Sequence, residues 1–274
     1  MIRTPKHLAY VLKVDLKEIM TILGNIDIYY REKVIIKREK VIIKTDKFGK
    51  PKLDSKGNPK QRIINPSLNR LKVIQKRIQK NILLKFYMPD YAYGAVKGRD
   101  NVCNAKKHQG KKYKFTTDLK DFFPSITNKE VYDMFVKEKF SHEVSSLLTK
   151  LTTYKGKIPQ GAPTSSTLAN LVFRKTGDIL DDFSKDNGIT FTSFVDDMTF
   201  SSPNDFKHLV PKILNIITVD FKISHKKTNY SRNPNITGLH PMNNHLKLPD
   251  SFMEKYRNRE EKTPEQKVGI LRYK

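Results

Sequence analysis

Two adjacent carboxylates, Asp196 and Asp197, lie between short apolar runs, and a third candidate, Asp118, lies far upstream in the chain. Strands that lie side by side can bring such acids together. Three carboxylates at one point can hold two hard divalent cations, because these ions prefer oxygen ligands. Two such ions stabilise the attacking and leaving oxygens of a phosphoryl transfer. In a chain as basic as this one, the pattern indicates nucleotide polymerisation.

A second acidic pair, Asp181-Asp182, provides an internal comparison. It lies near the end of a helical pattern, beside Lys185, and is typical of a solvated helix surface. Asp196 and Asp197 instead interrupt two apolar strands, where unpaired carboxylates are costly without a compensating partner. We therefore expect a metal site at Asp196 and Asp197. The alternative is a tight hairpin turn that leaves both side chains exposed.

The residues that follow Asp118 include an aromatic pair, Phe122 and Phe123. By default both rings are core residues, and the alternative is that one ring packs against a sugar and senses its 2′ position. Asp121 is either a further carboxylate of the acidic group or a cap of the following turn. This segment thus combines an acid at a strand end with a candidate sugar contact.

A loop at 158–166 leads into a predicted helix and contains Gly161 followed by a Ser/Thr cluster. Glycine permits a close backbone approach, and the hydroxyls can cap the helix, whose N-terminus favours phosphate and other polar ligands. By itself the pattern is typical of an ordinary helix entry. Together with the acids, it predicts an element that positions a substrate.

The composition favours a folded protein that contacts nucleic acid. The chain has 274 residues, with 53 Lys and Arg against 28 Asp and Glu, which gives a net charge of +25. Positive charge at this level attracts phosphate backbones irrespective of their sequence. The alternatives are a ribosome-associated protein or a membrane-surface protein. The length is typical of one large or two small domains, and a hydrophobic content of 37% with 10% aromatics predicts that the chain folds.

Cysteine usage and hydropathy bear on the cellular setting. Cys103 is the single cysteine, which excludes an intramolecular disulfide and a multi-cysteine zinc site. The N-terminus lacks the apolar run of a signal peptide, and no window approaches the roughly 20 apolar residues of a membrane helix. We therefore expect a soluble, cytoplasmic protein with no membrane partner.

Periodic apolar residues predict the elements that must position these side chains. The predicted helices are one N-terminal helix over 8–23, a helix with a basic outer face over 71–82, one that begins at Asn128 as its N-cap, and helices over 142–153, 164–184 and 206–217. The predicted strands are 113–118, 189–194 and 198–201, with a basic β-hairpin region at 28–64 that includes Val41-Ile42-Ile43 and turns at 48–51 and 56–59. The 164–184 helix is predicted to bury Ile179 among its apolar residues. This order predicts an α+β palm with mixed additions.

In this order and at this spacing, the motifs resemble those of reverse transcriptases. The resemblance rests on Asp118 with the residues 122–126, on Pro-Gln-Gly-Ala-Pro-Thr-Ser at 159–165 and on Phe194-Val195-Asp196-Asp197. Within that superfamily the chain resembles bacterial retron reverse transcriptases. The motifs that carry this closer resemblance are Asn-Ala-Lys-Lys-His at 104–108, Ile-Thr-Gly-Leu at 236–239 and the fingers segments 62–66, 71–75 and 93–99.

The resemblance implies an α+β right-hand polymerase fold with fingers, palm and a short thumb. The implied boundaries are 1–85 for the N-terminal helix and fingers, 86–240 for the palm with fingers segments around 86–112 and 128–165, and 241–274 for the thumb. The chain departs from the family at Phe194-Val195, where retron enzymes usually show Tyr-Ala. A tail from Asn243 onward is also short for a thumb.

The resemblance also implies roles for individual residues. Asp118, Asp196 and Asp197 would be catalytic acids that bind two Mg²⁺ ions. Lys227 would lie near the leaving pyrophosphate, where Lys226 is the competing candidate. The implied nucleotide contacts are Arg62 (with Lys44) at the triphosphate, Phe123 as the steric gate that selects deoxynucleotides, and Gln160 and Gly161 beside the incoming nucleotide.

The implied RNA contacts are Asn104, His108, Thr237 and Gly238. By residue type alone, a histidine beside lysines is more often a plain surface residue, so both interpretations of His108 stay open. The retron-type partner is a structured noncoding RNA.

The implied activity is RNA-templated DNA synthesis from deoxynucleoside triphosphates. The primer would be a guanosine 2′-hydroxyl of the enzyme's own noncoding RNA, and the product a branched RNA–DNA hybrid that acts with an effector protein in anti-phage defence. Two other hypotheses stay open. One is a group II intron-like or abortive-infection reverse transcriptase, and the other is a non-catalytic RNA-binding module on a palm fold.

Overall fold

The computed structural model describes residues 2–36, 58–59 and 61–248. The helices in these ranges are α1 (Pro5–Leu12), α2 (Leu16–Gly24), α3 (Asn69–Asn81), α4 (Asn101–Lys106), α5 (Phe122–Ser125), α6 (Asn128–Lys137), α7 (His142–Thr152), α8 (Ser165–Asp186) and α9 (Val210–Asp220). The strands are β1 (Lys33–Ile36), β2 (Gln61–Ile64), β3 (Tyr113–Asp118), β4 (Thr190–Phe194), β5 (Asp197–Ser202), β6 (Asn229–Ser231), β7 (His240–Pro241) and β8 (Leu246–Lys247).

The central sheet has four antiparallel strands in the order β4-β5-β3-β6. Phe200 on β5 pairs with Phe115 on β3 and with Phe191 on β4, so that three buried aromatic rings share one face. Because successive side chains of a strand alternate between faces, Asp118 lies on the opposite face from Phe115. Asp118 pairs there with Asp197. The aromatic face anchors the sheet in the core and leaves the acids on the other face.

The N-terminal helix predicted over 8–23 is wrong, because the chain forms two helices there. Lys13 adopts the left-handed conformation with φ 53° and ends α1. The Asp15 side chain then accepts a hydrogen bond of 2.8 Å from the Lys17 backbone N–H and caps α2. The apolar spacing continues through both helices, so periodicity alone does not reveal the break.

The other predicted elements agree with the structure to within a few residues, with two local corrections. The N-cap of α6 is Thr127 rather than Asn128, and Thr127 forms a capping box with Glu130. Ile179 is not buried, because half of its surface is exposed on the outer side of α8. The rest of the apolar stripe of α8 packs in the core, including Leu168.

Within the predicted basic hairpin region, β1 and β2 pair antiparallel. The predicted Val41-Ile42-Ile43 run, Lys44, the turn at 48–51 and the first two residues of the turn at 56–59 lie outside the described residues. Residues 249–274, most of the predicted thumb, also lie outside them. Within the described ranges, no helix has the length and apolar character needed to cross a bilayer.

Candidate active site

A two-residue turn joins β4 to β5 and places the acidic pair. Phe194 pairs with Asp197 across the hairpin, so Val195 and Asp196 form the turn itself. Val195 has a φ of 59°, which is unfavourable for a β-branched residue and is typical of a functional site. The carbonyl of Asp196 accepts a hydrogen bond of 3.0 Å from the Leu119 backbone N–H, which ties the turn to the end of β3.

The three predicted acids meet at this turn. Carboxylate oxygens of Asp118, Asp196 and Asp197 lie within 4.8 Å of one another. Asp118 is buried, whereas Asp196 is half-buried and Asp197 is exposed. The hairpin turn that we considered as an alternative is therefore present, but it presents its carboxylates to a third acid instead of to solvent alone.

The electrostatics of this group favour a bound cation. Burial, followed by the charge of Asp118, raises the pKa of Asp196. Burial, followed by the charges of Asp196 and Asp118, raises the pKa of Asp197 to about 7. Asp197 keeps an exposed edge, but the surrounding protein atoms still displace much of the water around its carboxylate. Clustered oxygen donors with this repulsion fit a hard divalent cation such as Mg²⁺.

Lys227 carries a positive charge in direct contact with Asp118, one of the three acids. It ends a short 3₁₀ turn, and its ammonium donates a hydrogen bond to the Asp118 carboxylate. Burial alone would lower the pKa of Lys227, but the hydrogen bond and charge of Asp118 raise it on balance. In the part of the chain that the structure describes, Lys226 forms no ion pair with these acids. Of the two candidate lysines, Lys227 is therefore the one that the structure places at the acids.

A pocket of about 460 Å³ is lined by the four side chains or backbones predicted to contact a nucleotide: Arg62, Phe123, Gln160 and Gly161. Arg62 is close enough to the acids for its charge to lower the pKa of Asp196, against the larger effects of burial and Asp118. Gly161 has a φ of 101°, which favours glycine. The carbonyl of Gln160 accepts a hydrogen bond of 2.7 Å from the Asn65 N–H, which joins the 158–166 loop to the fingers.

The aromatic pair after Asp118 divides between core and pocket. Phe122 is buried and contacts Phe173 and Phe221 edge-on, whereas Phe123 is half-buried and lines the pocket. Neither role predicted for Asp121 is found. Its carboxylate is outside the acidic group and makes no capping hydrogen bond, and only its carbonyl accepts one from Ser125.

The Ser/Thr cluster at the start of α8 borders the same pocket through Ser165 and Ser166. Thr164 occupies the N-cap position, but its side chain makes no capping hydrogen bond. Ser165 instead donates its hydroxyl to the Pro159 carbonyl at 2.5 Å. The Ser165 hydroxyl thus fixes the loop that precedes α8, and the side-chain cap expected from the Ser/Thr cluster is absent at the N-cap position.

The two retron-like motifs meet in a small unit beside the palm. The Asn104 side-chain amide donates to the Thr237 hydroxyl at 3.3 Å, and Thr237 and Gly238 both have positive φ. Ala105, Ile236 and Leu239 form a separate buried apolar cluster beneath them. The structure therefore joins α4 to the 236–239 segment, while the RNA contacts of Asn104, Thr237 and Gly238 stay predictions.

His108 is not a surface residue, so the surface interpretation is wrong. Its side chain is fully buried, with Nδ1 2.6 Å from the Ser201 hydroxyl and Nε2 2.7 Å from the Thr192 hydroxyl. Burial, followed by the charges of Lys111 and Lys114, lowers its pKa to about 3. A neutral imidazole with both nitrogens occupied offers no contact to RNA. His108 instead fixes α4 to the polar face of the sheet.

Two residues that the sequence analysis did not single out belong to this region. Lys76 belongs to the basic helix face predicted over 71–82, but it lines the same pocket as Arg62 and has no ion-pair partner among the described residues. Asn170 is buried on α8 and donates a hydrogen bond of 2.7 Å to the Gly94 carbonyl. A polar residue within the apolar stripe of α8 was the available signal for Asn170.

Comparison with known proteins bears on the family. Residues 50–259 match the family described as reverse transcriptase (RNA-dependent DNA polymerase). The chain is 39% identical over 155 residues to the retron Se72 reverse transcriptase of Salmonella heidelberg (strain 579083-10), a region that covers 56% of this chain and 41% of that one. It is 34% identical over 151 residues to the retron Ec86 reverse transcriptase of Escherichia coli, covering 55% and 47%. The chain thus spans less than half the length of these relatives.

Among solved structures, apo telomerase from Candida tropicalis, truncated from its C-terminal domain, aligns with a TM-score of 0.46 and 13% identity over 70% of this chain and 53% of that one. A similarity this low supports no conclusion. The family match extends over most of the chain and confirms the predicted α+β right-hand polymerase fold. The named relatives confirm the resemblance to bacterial retron reverse transcriptases. From the family match and these relatives together, the chain belongs to the reverse transcriptase family.

Proposed function

We propose that this protein is a retron-type RNA-directed DNA polymerase that acts in the cytoplasm. The observation that carries the proposal is the convergence of Asp118, Asp196 and Asp197, together with a pocket, lined by Arg62 and Phe123, from which the charge of Arg62 reaches Asp196. A group of acids without such a pocket would be compatible with simple metal binding. The pocket adds a cationic side chain for phosphate and a ring for the sugar, as a nucleotidyl transferase requires.

The cofactor we propose is a pair of Mg²⁺ ions held by Asp118, Asp196 and Asp197. When bound, such ions activate a primer hydroxyl and stabilise the charge that develops on the leaving pyrophosphate. The ammonium of Lys227, which contacts Asp118, lowers the mutual repulsion of the carboxylates before any ion enters. The same ammonium is a candidate to neutralise or protonate the leaving group.

The pocket residues divide the recognition of a deoxynucleoside triphosphate. We propose that Arg62 binds the triphosphate, with Lys76 as a second cation on the same pocket wall. Phe123 would exclude a ribose 2′-hydroxyl, because its ring occupies the pocket beside the acids. Gln160 and Gly161 would contact the nucleotide from the loop that leads into α8. The proposed contribution of Lys44 lies outside the described residues.

At the level of biology, we propose that the enzyme copies part of its own structured noncoding RNA from an RNA 2′-hydroxyl primer. The product would be a branched RNA–DNA hybrid that acts with an effector protein in anti-phage defence. Support comes from the similarity to proteins named retron reverse transcriptases and from the unit that joins Asn104 to Thr237 and Gly238. The net charge of +25 supplies attraction to the RNA backbone.

The test is to purify the protein with its operon and to digest the bound nucleic acid separately with RNase and with DNase. A short DNA joined to RNA through a 2′–5′ branch would support the retron-type function. Unbranched or untemplated DNA would assign the enzyme to group II intron-like or abortive-infection relatives. RNA without DNA, despite Mg²⁺ and all four nucleotides, would favour a non-catalytic RNA-binding module.

The matched variant is Asp196→Asn. We expect this variant to lose DNA synthesis while it retains RNA binding, because it removes a metal ligand and leaves the basic surface unchanged. Equal DNA synthesis by the variant and the unmutated protein would refute the proposed mechanism.

A further inference from the structure

The turn between β4 and β5 packs directly against the backbone of Gly94. A Cβ atom at Gly94 would lie 2.6 Å from Cγ2 of Val195, 2.7 Å from the Val195 backbone nitrogen and 2.9 Å from the Phe194 backbone carbon. Cβ atoms essentially never approach other heavy atoms below 3.0 Å. Two of these three neighbours are backbone atoms, so rotating a side chain does not relieve the contact. Any side chain at position 94 therefore has to displace the turn.

Position 94 requires glycine because a Cβ atom would clash with the turn, and not because of its backbone conformation. Gly94 is absent from the residues with positive φ, which include Gly98 and Gly161. Alanine at position 94 would consequently introduce no backbone strain. The effect of a substitution there reports the contact with the turn alone.

The segment around Gly94 is held firmly enough that it does not simply retreat from the turn. Its carbonyl accepts a hydrogen bond of 2.7 Å from the side chain of Asn170, which is buried on α8. The Arg99 guanidinium donates to the carbonyl of Ala92 at 2.6 Å and also to that of Pro89. Buried hydrogen bonds of this kind resist displacement, since breaking one leaves a polar group unpaired.

The same segment also pairs with β4. The Tyr93 N–H donates to the Ser193 carbonyl at 2.8 Å, and the Ser193 N–H donates to the Tyr91 carbonyl at 2.7 Å. Ala92 and Ser193 form a parallel bridge. Residues 91–94 thus extend the sheet beside β4 and end against the acidic turn.

We infer that Gly94 is a positioning residue, whose backbone sets the place of the Val195-Asp196 turn and so the approach of Asp196 and Asp197 to Asp118. The turn is fixed from two sides, by the Leu119 N–H on the β3 side and by Gly94 on the other. Val195 is held at a φ of 59°, a conformation that persists only where its surroundings impose it. The inference rests on the proposed polymerase function.

The test is Gly94→Ala. Moving the Val195 backbone nitrogen from 2.7 Å to the 3.4 Å of ordinary packing requires a shift of about 0.7 Å. Displacement of catalytic groups on this scale lowers rates by about 10- to 100-fold. We expect kcat for DNA synthesis to fall by that factor and the Mg²⁺ concentration for half-maximal activity to rise, while KM for the deoxynucleotide changes little, because Gly94 does not line the nucleotide pocket.

Gly24→Ala is the matched control. Gly24 lies at the end of α2, lacks a positive φ and has no heavy atom within 4 Å of the place that a Cβ atom would take, so the same methyl group meets nothing there. We expect unchanged kcat and Mg²⁺ dependence in this variant. A second comparison uses Val195→Ala, which removes the Cγ2 atom of the closest contact. We expect Gly94→Ala to cost less in the Val195→Ala background than in the unmutated protein.

Two outcomes would overturn the inference: kcat and Mg²⁺ dependence like those of the unmutated protein, or a rise in KM alone. An equal loss in both backgrounds would support the inference through the backbone contacts at Phe194 and Val195 alone. If Gly94→Ala does not fold, as judged by thermal unfolding, Asn170→Ala tests the same segment by releasing the Gly94 carbonyl, with the same expected lower kcat and weaker Mg²⁺ response. Normal values in that variant would overturn the inference. An unmutated protein without DNA synthesis would instead refute the proposed function.

Discussion

Removing the charge of Asp197 should stabilise the metal-free protein while abolishing its response to Mg²⁺. Burial and the charges of Asp196 and Asp118 raise the pKa of Asp197 from 3.8 to about 7. A carboxyl with a raised pKa binds its proton more tightly in the folded than in the unfolded chain. Its contribution to folding stability therefore decreases as pH rises from about 4 to about 7, and the full cost is present above pH 7.

The size of this loss of folding stability follows from the pKa shift of Asp197. Three pKa units correspond to roughly 4 kcal/mol, but Asp197 has an exposed edge, and solvent screening reduces the value to about 1 kcal/mol. For a protein of this length, a change of about 1 kcal/mol corresponds to a Tm increase of roughly 2–4 °C. We expect Asp197→Asn to show that increase at pH 8 in EDTA, and a smaller one at pH 5, where Asp197 of the folded protein is largely protonated.

The assay is thermal unfolding of both proteins with EDTA and with Mg²⁺. Mg²⁺ should raise the Tm of the unmutated protein and have little effect on Asp197→Asn, because the variant lacks one of the three carboxylates. Asp182→Asn, which removes a carboxylate of α8 that lies outside the acidic group, is the control. A lower Tm for Asp197→Asn at pH 8 in EDTA, or the same change in Asp182→Asn, would refute the electrostatic reasoning.

Three further predictions concern single side chains. Lys227→Ala should lower kcat by about 100-fold in steady-state kinetics, because a candidate general acid is lost. The same variant should have a lower Tm in EDTA by thermal unfolding, because the three acids lose their contacting cation. Phe123→Ala should reduce discrimination against ribonucleotides at least about tenfold, measured as the ratio of kcat/KM values for matched deoxy- and ribonucleotides. His108→Ala should lower the free energy of unfolding by about 2–4 kcal/mol in urea titrations, because two buried hydroxyls lose their partners.

Each of these has a contradicting result. Unchanged kcat in Lys227→Ala with a loss in Lys226→Ala would assign the role to the neighbouring lysine. An unchanged nucleotide ratio in Phe123→Ala would mean that the ring does not meet the sugar. Full stability of His108→Ala would show that the Ser201 and Thr192 hydroxyls find other partners.

The sequence alone predicts which residues come together at the candidate site. Asp118, Asp196 and Asp197 were predicted to meet because each lies at the end of an apolar strand, and short strands with alternating side chains are visible in a sequence. The pocket residues Arg62, Phe123 and Gln160 were implied by the resemblance to reverse transcriptases, and the structure brings them together. Local signals of this type need only near neighbours along the chain.

The features that depend on contacts between distant segments are visible only in the folded structure. Nothing in the spacing around His108 reveals that Thr192 and Ser201 occupy both ring nitrogens, because those partners come from other strands. The same holds for Gly94, whose importance arises from the backbone of Val195, far away along the chain. Residue type and period predict which face of an element is apolar, but a close approach between two backbones exists only once the sheet has assembled.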